Sequence, residues 1–206
     1  MKDNTSIEQI KRYLIDKYQC HLIILYGSYT TGDFTEESDV DIIGFSDNDY
    51  SGNDTSIQYG LQLDVWIYNS TLMKEIEKYL HIIDGKIIYD QRCSGNNFLD
   101  LIKQTFVKGV EKLDEQKEQF LKSWLTKMLK RSQKNDPEGN YRFHWMLKDS
   151  LEIYFNIKGL WFLGPKKSIK WLMENDKIMY ELFTLAFDKN AKLHDVEKLI
   201  KYISEL

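Results

Sequence analysis

The sequence predicts an α+β protein in which a small mixed-sheet domain is followed by an all-helical bundle domain. Before residue 93, short β-branched runs end at glycine or at polar loops, which is typical of strands. After that point glycine and proline become sparse, and apolar residues recur with the period of a helix. We therefore expect two domains, at residues 1–92 and 93–206.

In the first domain, a helix is predicted from Ser6, which can cap it with Gln9 at the reciprocal position of a capping box. Polar residues at 46–56 predict a loop, and Ser70 is expected to cap a helix that runs to about residue 80. Four strands are predicted, at residues 21–26, 40–45, 58–68 and 86–89.

In the second domain, Pro137 and Pro165 mark helix starts because proline suits the first helical turn. Six helices are predicted, at about residues 96–109, 113–134, 139–158, 166–174, 176–187 and 193–204.

Charge is distributed unevenly along the chain. Residues 1–90 carry 7 Lys/Arg against 16 Asp/Glu, whereas residues 91–206 carry 21 against 16. This pattern fits either two solvated faces of opposite charge, or an acidic cation-binding half beside a basic half that faces phosphates. The net charge of −4, without an RNA-binding module, argues against a nucleic-acid partner.

Several classes of protein are disfavoured by composition. No run approaches the roughly 20 apolar residues of a membrane span, and the polar N-terminus resembles no signal peptide, so a cytoplasmic protein without a membrane partner is expected. Cys20 and Cys93 are expected to be reduced and partly buried, and four scattered histidines argue against zinc.

The most informative segment joins the first two predicted strands. Gly27 can turn sharply or approach a ligand closely, and Ser28 adds a hydroxyl where backbone N–H groups favour phosphate oxygens. Ten residues separate Ser28 from Asp39, and Asp41 follows Asp39 two positions later, so both aspartates are expected to project from one face of a strand.

A third carboxylate lies on the polar side of the predicted strand 58–68. If this strand pairs beside Asp39 and Asp41, Asp64 joins them. Clustered carboxylates repel one another unless a cation lies between them, and Mg²⁺ favours carboxylates together with phosphates. The cluster therefore predicts a two-metal phosphoryl-transfer site. The alternative is that these residues have no catalytic role and are a turn glycine and three surface aspartates.

Gly-Ser followed by Asp-x-Asp, with a third acid on a later strand, resembles the polymerase-β-like nucleotidyltransferase superfamily. The resemblance is greatest to small bacterial members of the aminoglycoside and minimal types. It is strong over residues 20–68 and loose over the helical half, through 151–155 and 158–167. It implies that residues 1–92 form the catalytic domain and residues 93–206 a substrate-binding domain.

The resemblance also implies roles for individual residues. Gly27 and Ser28 would hold the triphosphate of an NTP, with ATP as the expected substrate. Asp39, Asp41 and Asp64 would be catalytic and would hold two Mg²⁺ ions. Asp64 either completes the metal site or takes the acceptor proton, and a helical-domain acid such as Glu152 is the alternative base.

Two further residues carry weaker predictions. Lys148, on a predicted helix, is expected to contact the triphosphate, against the alternative of a solvated lysine. Trp66 shares the polar strand face with Asp64 and is a candidate for stacking on a base, although most tryptophans belong to cores.

The expected reaction is transfer of a nucleoside monophosphate to a hydroxyl of a small molecule. An aminoglycoside-like antibiotic is one candidate, although a polycation prefers acidic pockets and the helical half is positive on balance. The alternative is adenylylation of a protein, as in antitoxins that modify a toxin, and the long helical half argues against a minimal antitoxin. For the oligomeric state, a homodimer is a candidate, because homodimers occur among members of the family that the chain resembles.

Overall fold

The chain alternates helices and strands at first and is helical thereafter. The computed structural model describes residues 2–134 and 136–206, with side chains from Thr5 onward. The strands are β1 Leu22–Tyr26, β2 Val40–Ser46, β3 Gly52–Asp54, β4 Ile57–Gln58, β5 Leu61–Asn69 and β6 Lys86–Asp90. The α-helices are α1 Lys2–Tyr18, α2 Ser28–Thr31, α3 Gly95–Lys108, α4 Glu115–Ser132, α5 Pro137–Ile157, α6 Pro165–Asn175, α7 Lys177–Ala186 and α8 Leu193–Ser204.

The described chain divides into two compact units, within Met1–Val107 and Lys108–Leu206. The first contains every strand described above, and the second is helical. The α+β class and the order of a mixed sheet followed by helices are thus confirmed. The domain boundary expected at residue 92 stays a prediction. No helix in the described part of the chain has the length and apolarity that a membrane span requires.

The sheet has the order β3-β5-β2-β1-β6, with β4 paired to β5. β2 and β5 run parallel, and β1 is antiparallel to both β2 and β6. The parallel pair forms because the segment between β2 and β5 crosses back before β5 begins. The polar residues near the start of β2 are therefore brought beside the first half of β5.

Two layers cover the sheet. α1 places Ile7, Ile10 and Leu14 against one face, where the apolar side chains of β2 and β5 are fully buried. On the opposite face Phe45 packs edge-on against Tyr79 and against Phe98 of α3. The alternation predicted for β5 is confirmed, since Leu63, Val65 and Ile67 are buried on the α1 face.

Local corrections to the predicted elements have physical causes. The predicted strand 58–68 is broken because Tyr59 and Gly60 adopt positive φ angles of 53° and 80°, which turn the chain between β4 and β5. The predicted loop 46–56 contains β3, which pairs with β5. α1 begins at Lys2 rather than at Ser6, so the capping prediction there was wrong.

The predicted helix 70–80 is instead two short 3₁₀ helices, Ser70–Lys74 and Ile76–Ile82. Asn69, not Ser70, caps the first of them by accepting the N–H of Thr71. Glu75 separates the two because its ψ of 59° leaves the helical region.

The second unit is built from α4 to α8 around a continuous apolar core. Its helix starts follow local capping chemistry: the carboxylates of Asp114, Asp136 and Asp176 each accept a backbone N–H in the first turn of α4, α5 and α7. Pro137 and Pro165 occupy first turns as predicted. The six predicted helices are confirmed, with ends that differ by no more than two residues.

Candidate active site

Three polar side chains form a row across neighbouring strands. Tyr26 of β1 pairs with Asp41 of β2, and Asp41 pairs in parallel register with Asp64 of β5. Directly paired residues project from the same face of a sheet, so the three side chains are neighbours. They lie on the face opposite α1, where Asp41 and Asp64 are half-buried.

Gly27 has no room for a side chain. Its φ of 70° and ψ of −149° lie in a region that essentially only glycine adopts. A Cβ at this position would lie 2.1 Å from Asp41 Oδ2 and 2.8 Å from its Cγ. The backbone of Gly27 therefore closes directly over the Asp41 carboxylate, and this is the close approach that the glycine permits.

Ser28 begins the single turn α2, directly after Gly27, and is half-exposed. Thr30 fixes the turn because both its backbone N–H and its hydroxyl donate to the Gly27 carbonyl, at 3.1 and 2.8 Å. Gly32 ends the turn in the left-handed conformation and donates its N–H to the Ser28 carbonyl. The turn thus presents Ser28 next to the carboxylate that Gly27 covers.

Asp39 lies immediately before β2 and is exposed. The preceding turn is closed by Thr35, whose N–H donates to Ser38 Oγ at 2.8 Å and whose carbonyl accepts the N–H of Ser38 at 3.1 Å. This turn delivers Asp39 to the edge of the same strand that carries Asp41.

The Asp64 carboxylate has a partner that sequence reasoning missed. Asn53 of β3 donates its side-chain amide to Asp64 Oδ1 at 2.6 Å. Asn53 lay in the predicted loop, and an asparagine among Asp, Ser and Gly residues carries no sign that it pairs with a strand. The only available signal was the proximity in sequence of this segment to β5.

The donor set fits a hard divalent cation. Asp41 and Asp64 are cross-strand neighbours, Asp39 precedes Asp41 by two residues, and all three offer only carboxylate oxygens, which are the ligands that Mg²⁺ prefers. Among the described residues, no group of three or more His, Cys, Asp or Glu is already arranged around a cation position. The assignment of Asp39, Asp41 and Asp64 as metal ligands therefore stays a prediction.

Electrostatics keep the phenols around the carboxylates protonated. Burial raises the pKa of Tyr26, and the negative charges of Asp41 and Asp64 raise it further. Burial also raises the pKa of Tyr68, with Lys78 opposing and Asp64 adding to the rise. Both rings thus remain neutral beside the acidic pair.

Trp66 follows Asp64 on the same strand face and is 39% exposed. Its ring stacks on that of Tyr68, with centroids 6.1 Å apart and planes at 11°. An exposed aromatic platform thus lies two residues from Asp64. Its use in stacking on a base stays a prediction.

The helical unit contains the remaining predicted residues. Lys148 is exposed on α5, with its Nζ 3.5 Å from Asp149. Glu152 is exposed one turn further along and lines a groove between α4 and α5. The groove has aromatic and aliphatic walls with polar groups between them, and is lined by Phe120, Leu121, Trp124, Trp145, Asp149, Glu152, Ile153 and Asn156.

Sequence reasoning did not single out Trp145 and Asp149. The indole Nε1 of Trp145 donates to Asp149 Oδ2 at 2.6 Å, a bond that fixes both side chains at the groove. Their spacing of four residues on one helix was the available signal, since such residues are neighbours on a helix surface.

Part of the chain is similar in sequence to known proteins. The family model described as "Polymerase beta, Nucleotidyltransferase" matches residues 8–93. The chain is 30% identical over 100 residues to "Putative protein adenylyltransferase MJ0604" of Methanocaldococcus jannaschii, covering 43% of this chain and 100% of that protein. It is 35% identical over 97 residues to "Putative protein adenylyltransferase MJ1379" of the same organism, covering 39% of this chain and 97% of that one.

A solved structure of a nucleotidyltransferase-like protein from Exiguobacterium sibiricum 255-15 covers 97% of this chain and 74% of its own, with 15% identity and a TM-score of 0.45. The sequence matches establish that the chain belongs to the polymerase-β nucleotidyltransferase family. It is a nucleotidyltransferase, as the Gly-Ser and Asp-x-Asp spacing had predicted.

Proposed function

We propose that this nucleotidyltransferase is Mg²⁺-dependent and transfers a nucleoside monophosphate from an NTP, with ATP as the first candidate, to a hydroxyl of a small molecule. The observation that supports it best is the pairing of Asp41 with Asp64 beneath the turn at Gly27 and Ser28. The two paired carboxylates can bind a cation, and the N–H and hydroxyl groups of the adjacent turn can bind phosphate oxygens.

In this proposal Asp39 and Asp41 hold the metal, and Asp64 either completes the metal site or takes the acceptor proton. When bound, Mg²⁺ would neutralise charge on the triphosphate and lower the barrier to attack on phosphorus. The turn at Gly27 and Ser28 binds phosphate oxygens through backbone N–H groups and the Ser28 hydroxyl, and Lys148 contributes a positive charge.

The reaction forms one bond and breaks one. The acceptor hydroxyl oxygen bonds to the α-phosphorus, and the bond from that phosphorus to the bridging oxygen breaks, releasing pyrophosphate. The hydroxyl proton passes to a carboxylate, for which Asp64 is the proposed acceptor and Glu152 the alternative. Trp66 is proposed to stack on the nucleobase.

A small-molecule acceptor is favoured by the groove between α4 and α5. Its Trp124 and Trp145 rings can stack on a sugar or contact an ammonium group, and its carboxylates Asp149 and Glu152 complement positive charge. These properties suit an amine-bearing, aminoglycoside-like molecule, even though the helical half as a whole is positive.

Protein adenylylation is the second candidate, because both relatives in Methanocaldococcus jannaschii carry that activity in their names. Those matches span 100 and 97 residues of a 206-residue chain. More than half of this protein therefore has no counterpart in them, and the acceptor can differ.

The test is to supply each of the four labelled NTPs with Mg²⁺ and either a panel of aminoglycosides and lincosamides or a protein lysate, and to follow pyrophosphate release and the label. Label on a small molecule supports the proposal, and label on a protein supports the second candidate. If calorimetry detected no nucleotide binding and the label reached no acceptor, both candidates would be contradicted.

The metal assignment has its own variant. Asp39→Asn combined with Asp41→Asn should abolish Mg²⁺-dependent ATP binding. The matched control combines Glu36→Gln with Glu37→Gln, which removes two exposed acids from the same loop and should leave binding unchanged. Metal-dependent binding that survives the double aspartate change would refute the assignment.

Lys148 is tested in the same assay. Lys148→Ala should raise the KM for ATP, with Lys130→Ala as a control that removes another exposed lysine from the helical unit. An unchanged KM would identify Lys148 as a solvated surface residue.

A further inference from the structure

The edge strand β3 reaches the proposed catalytic carboxylate through one side chain. Asn53 pairs with Trp66 in the β3–β5 ladder, so its side chain lies on the same face as Asp64. Its amide nitrogen is 2.6 Å from Asp64 Oδ1. From this contact we propose that Asn53 is a positioning residue, which fixes the orientation of the Asp64 carboxylate for metal binding and proton transfer.

The orientation of Asp64 matters because a carboxylate otherwise rotates broadly about its last torsion. A donor held at one oxygen selects one plane for the group and so defines where its lone pairs point. Partners of this kind around metal-binding carboxylates typically change metal affinity or activity by roughly 10- to 100-fold when they are removed.

β3 is itself held firmly, although it has only three residues and lies at the sheet edge. Asp54, the next residue after Asn53, points to the opposite face and is 7% exposed. Its Oδ2 accepts hydrogen bonds from the hydroxyls of Tyr13 at 2.8 Å and Tyr18 at 2.7 Å, and Lys17 Nζ lies 3.2 Å away.

The backbone N–H of Ser56 donates to the other oxygen of Asp54 at 3.0 Å. Neighbouring residues of β3 thus bond to α1 on one face and to Asp64 on the other. A strand anchored in this way holds the Asn53 amide at a fixed position relative to β5, which a flexible loop would not do.

The inference depends on the proposed role of Asp64, and the experiment separates the two. The variants are Asn53→Ala, which removes the donor, and Asn53→Asp, which keeps the shape but replaces the donor with a charge. Gln58→Ala is the control, because it removes an amide from β4 that donates to Ser56 Oγ instead of a carboxylate. Asp64→Asn tests the role of Asp64 itself.

The measurements are pyrophosphate release as a function of Mg²⁺ and ATP concentration, and the melting temperature by circular dichroism. Asn53→Ala should raise the Mg²⁺ concentration for half-maximal activity by about 10-fold or more and lower kcat, with a smaller change in the KM for ATP. Asn53→Asp should have the larger effect, because the new carboxylate repels that of Asp64. Gln58→Ala should match the wild type.

Each outcome decides one question. If Asp64→Asn is inactive while both Asn53 variants keep the Mg²⁺ dependence and kcat of the wild type, the positioning role is wrong and the proposed function stands. If Asp64→Asn retains full activity, the role proposed for Asp64 is wrong. Should Asn53→Ala fail to fold, Asn53→Asp, which preserves the side-chain volume, gives the decision.

Discussion

Replacing Gly27 with alanine tests the arrangement at the centre of the site. The new Cβ would lie 2.1 Å from Asp41 Oδ2, whereas ordinary contacts begin near 3.4 Å, so the carboxylate must retreat by about 1 Å. A displacement of that size at a reacting centre costs roughly 100-fold in rate. We therefore expect Gly27→Ala to lower kcat by about 100-fold and to weaken Mg²⁺-dependent ATP binding.

Stability should fall as well, because a residue with a side chain is strained at this φ and ψ by about 1–3 kcal/mol. For a chain of this length, that corresponds to a drop in melting temperature of about 2–12 °C. The loss of activity must therefore be separated from the loss of stability.

Gly60→Ala provides that separation. Gly60 also has a positive φ, of 80°, but a Cβ there would meet no atom within 4 Å. It should therefore lower the melting temperature while leaving activity at the wild-type level when assayed well below melting. Calorimetric titration of ATP with Mg²⁺ and a pyrophosphate-release assay measure both effects. If Gly27→Ala kept wild-type activity and metal dependence, the reasoning about the close approach to Asp41 would be refuted.

Three further predictions concern Asp54, the two cysteines and Trp66. Burial alone would raise the pKa of Asp54, but hydrogen bonds from Tyr18, Ser56 and Tyr13 outweigh it and hold that pKa below the unfolded value of about 3.9. The contribution of the Asp54 carboxylate to stability is thus complete above about pH 4 and is lost at lower pH. Asp54→Asn should therefore lower the free energy of unfolding, measured by urea titration, by about 3 kcal/mol at pH 7 and by less below pH 4. A difference between variant and wild type that stayed constant with pH would contradict this. Burial raises the pKa of the Cys20 thiol to about 12, whereas Cys93 is exposed. A thiol reagent should therefore label Cys93 alone in the native protein, and rapid labelling of both cysteines would disprove this prediction. Trp66→Ala should raise the KM for ATP by about 10-fold if the ring stacks on the base, and Trp66→Phe should raise it much less. An unchanged KM for ATP in both variants would exclude stacking.

Local patterns predicted the elements of the chain well where one strong signal dominated. Val65 and its neighbours alternate with polar residues, and they form a half-buried strand as expected. Pro137 and Pro165 predicted helix starts because their chemistry is local. The prediction for Cys93 was wrong, since the residue is exposed, and nothing in its neighbouring sequence distinguishes a surface thiol from a partly buried one.

Predictions of elements failed where the outcome depended on strand pairing or on backbone angles. The strand around Asn53 forms only because β5 offers a free edge, so a polar composition alone predicted a loop. The helix predicted from Ser70 is instead two 3₁₀ helices, and Glu75 separates them because its ψ of 59° leaves the helical region. These effects depend on packing and backbone angles that no pattern of residue types contains.

The family and most residues of the candidate site could be read from the sequence, because Gly27, Ser28, Asp39 and Asp41 lie within one short stretch whose spacing follows from strand and turn geometry. Folding is what places Asp64 beside Asp41, since the parallel register of β2 and β5 arises from burial of their common apolar face against α1. The close approach of Gly27 to a carboxylate and the contact of Asn53 with Asp64 likewise depend on the folded sheet. Gly27 and Asp41 are 14 positions apart and Asn53 and Asp64 are 11 apart, and only the pairing of the strands brings the members of each pair together.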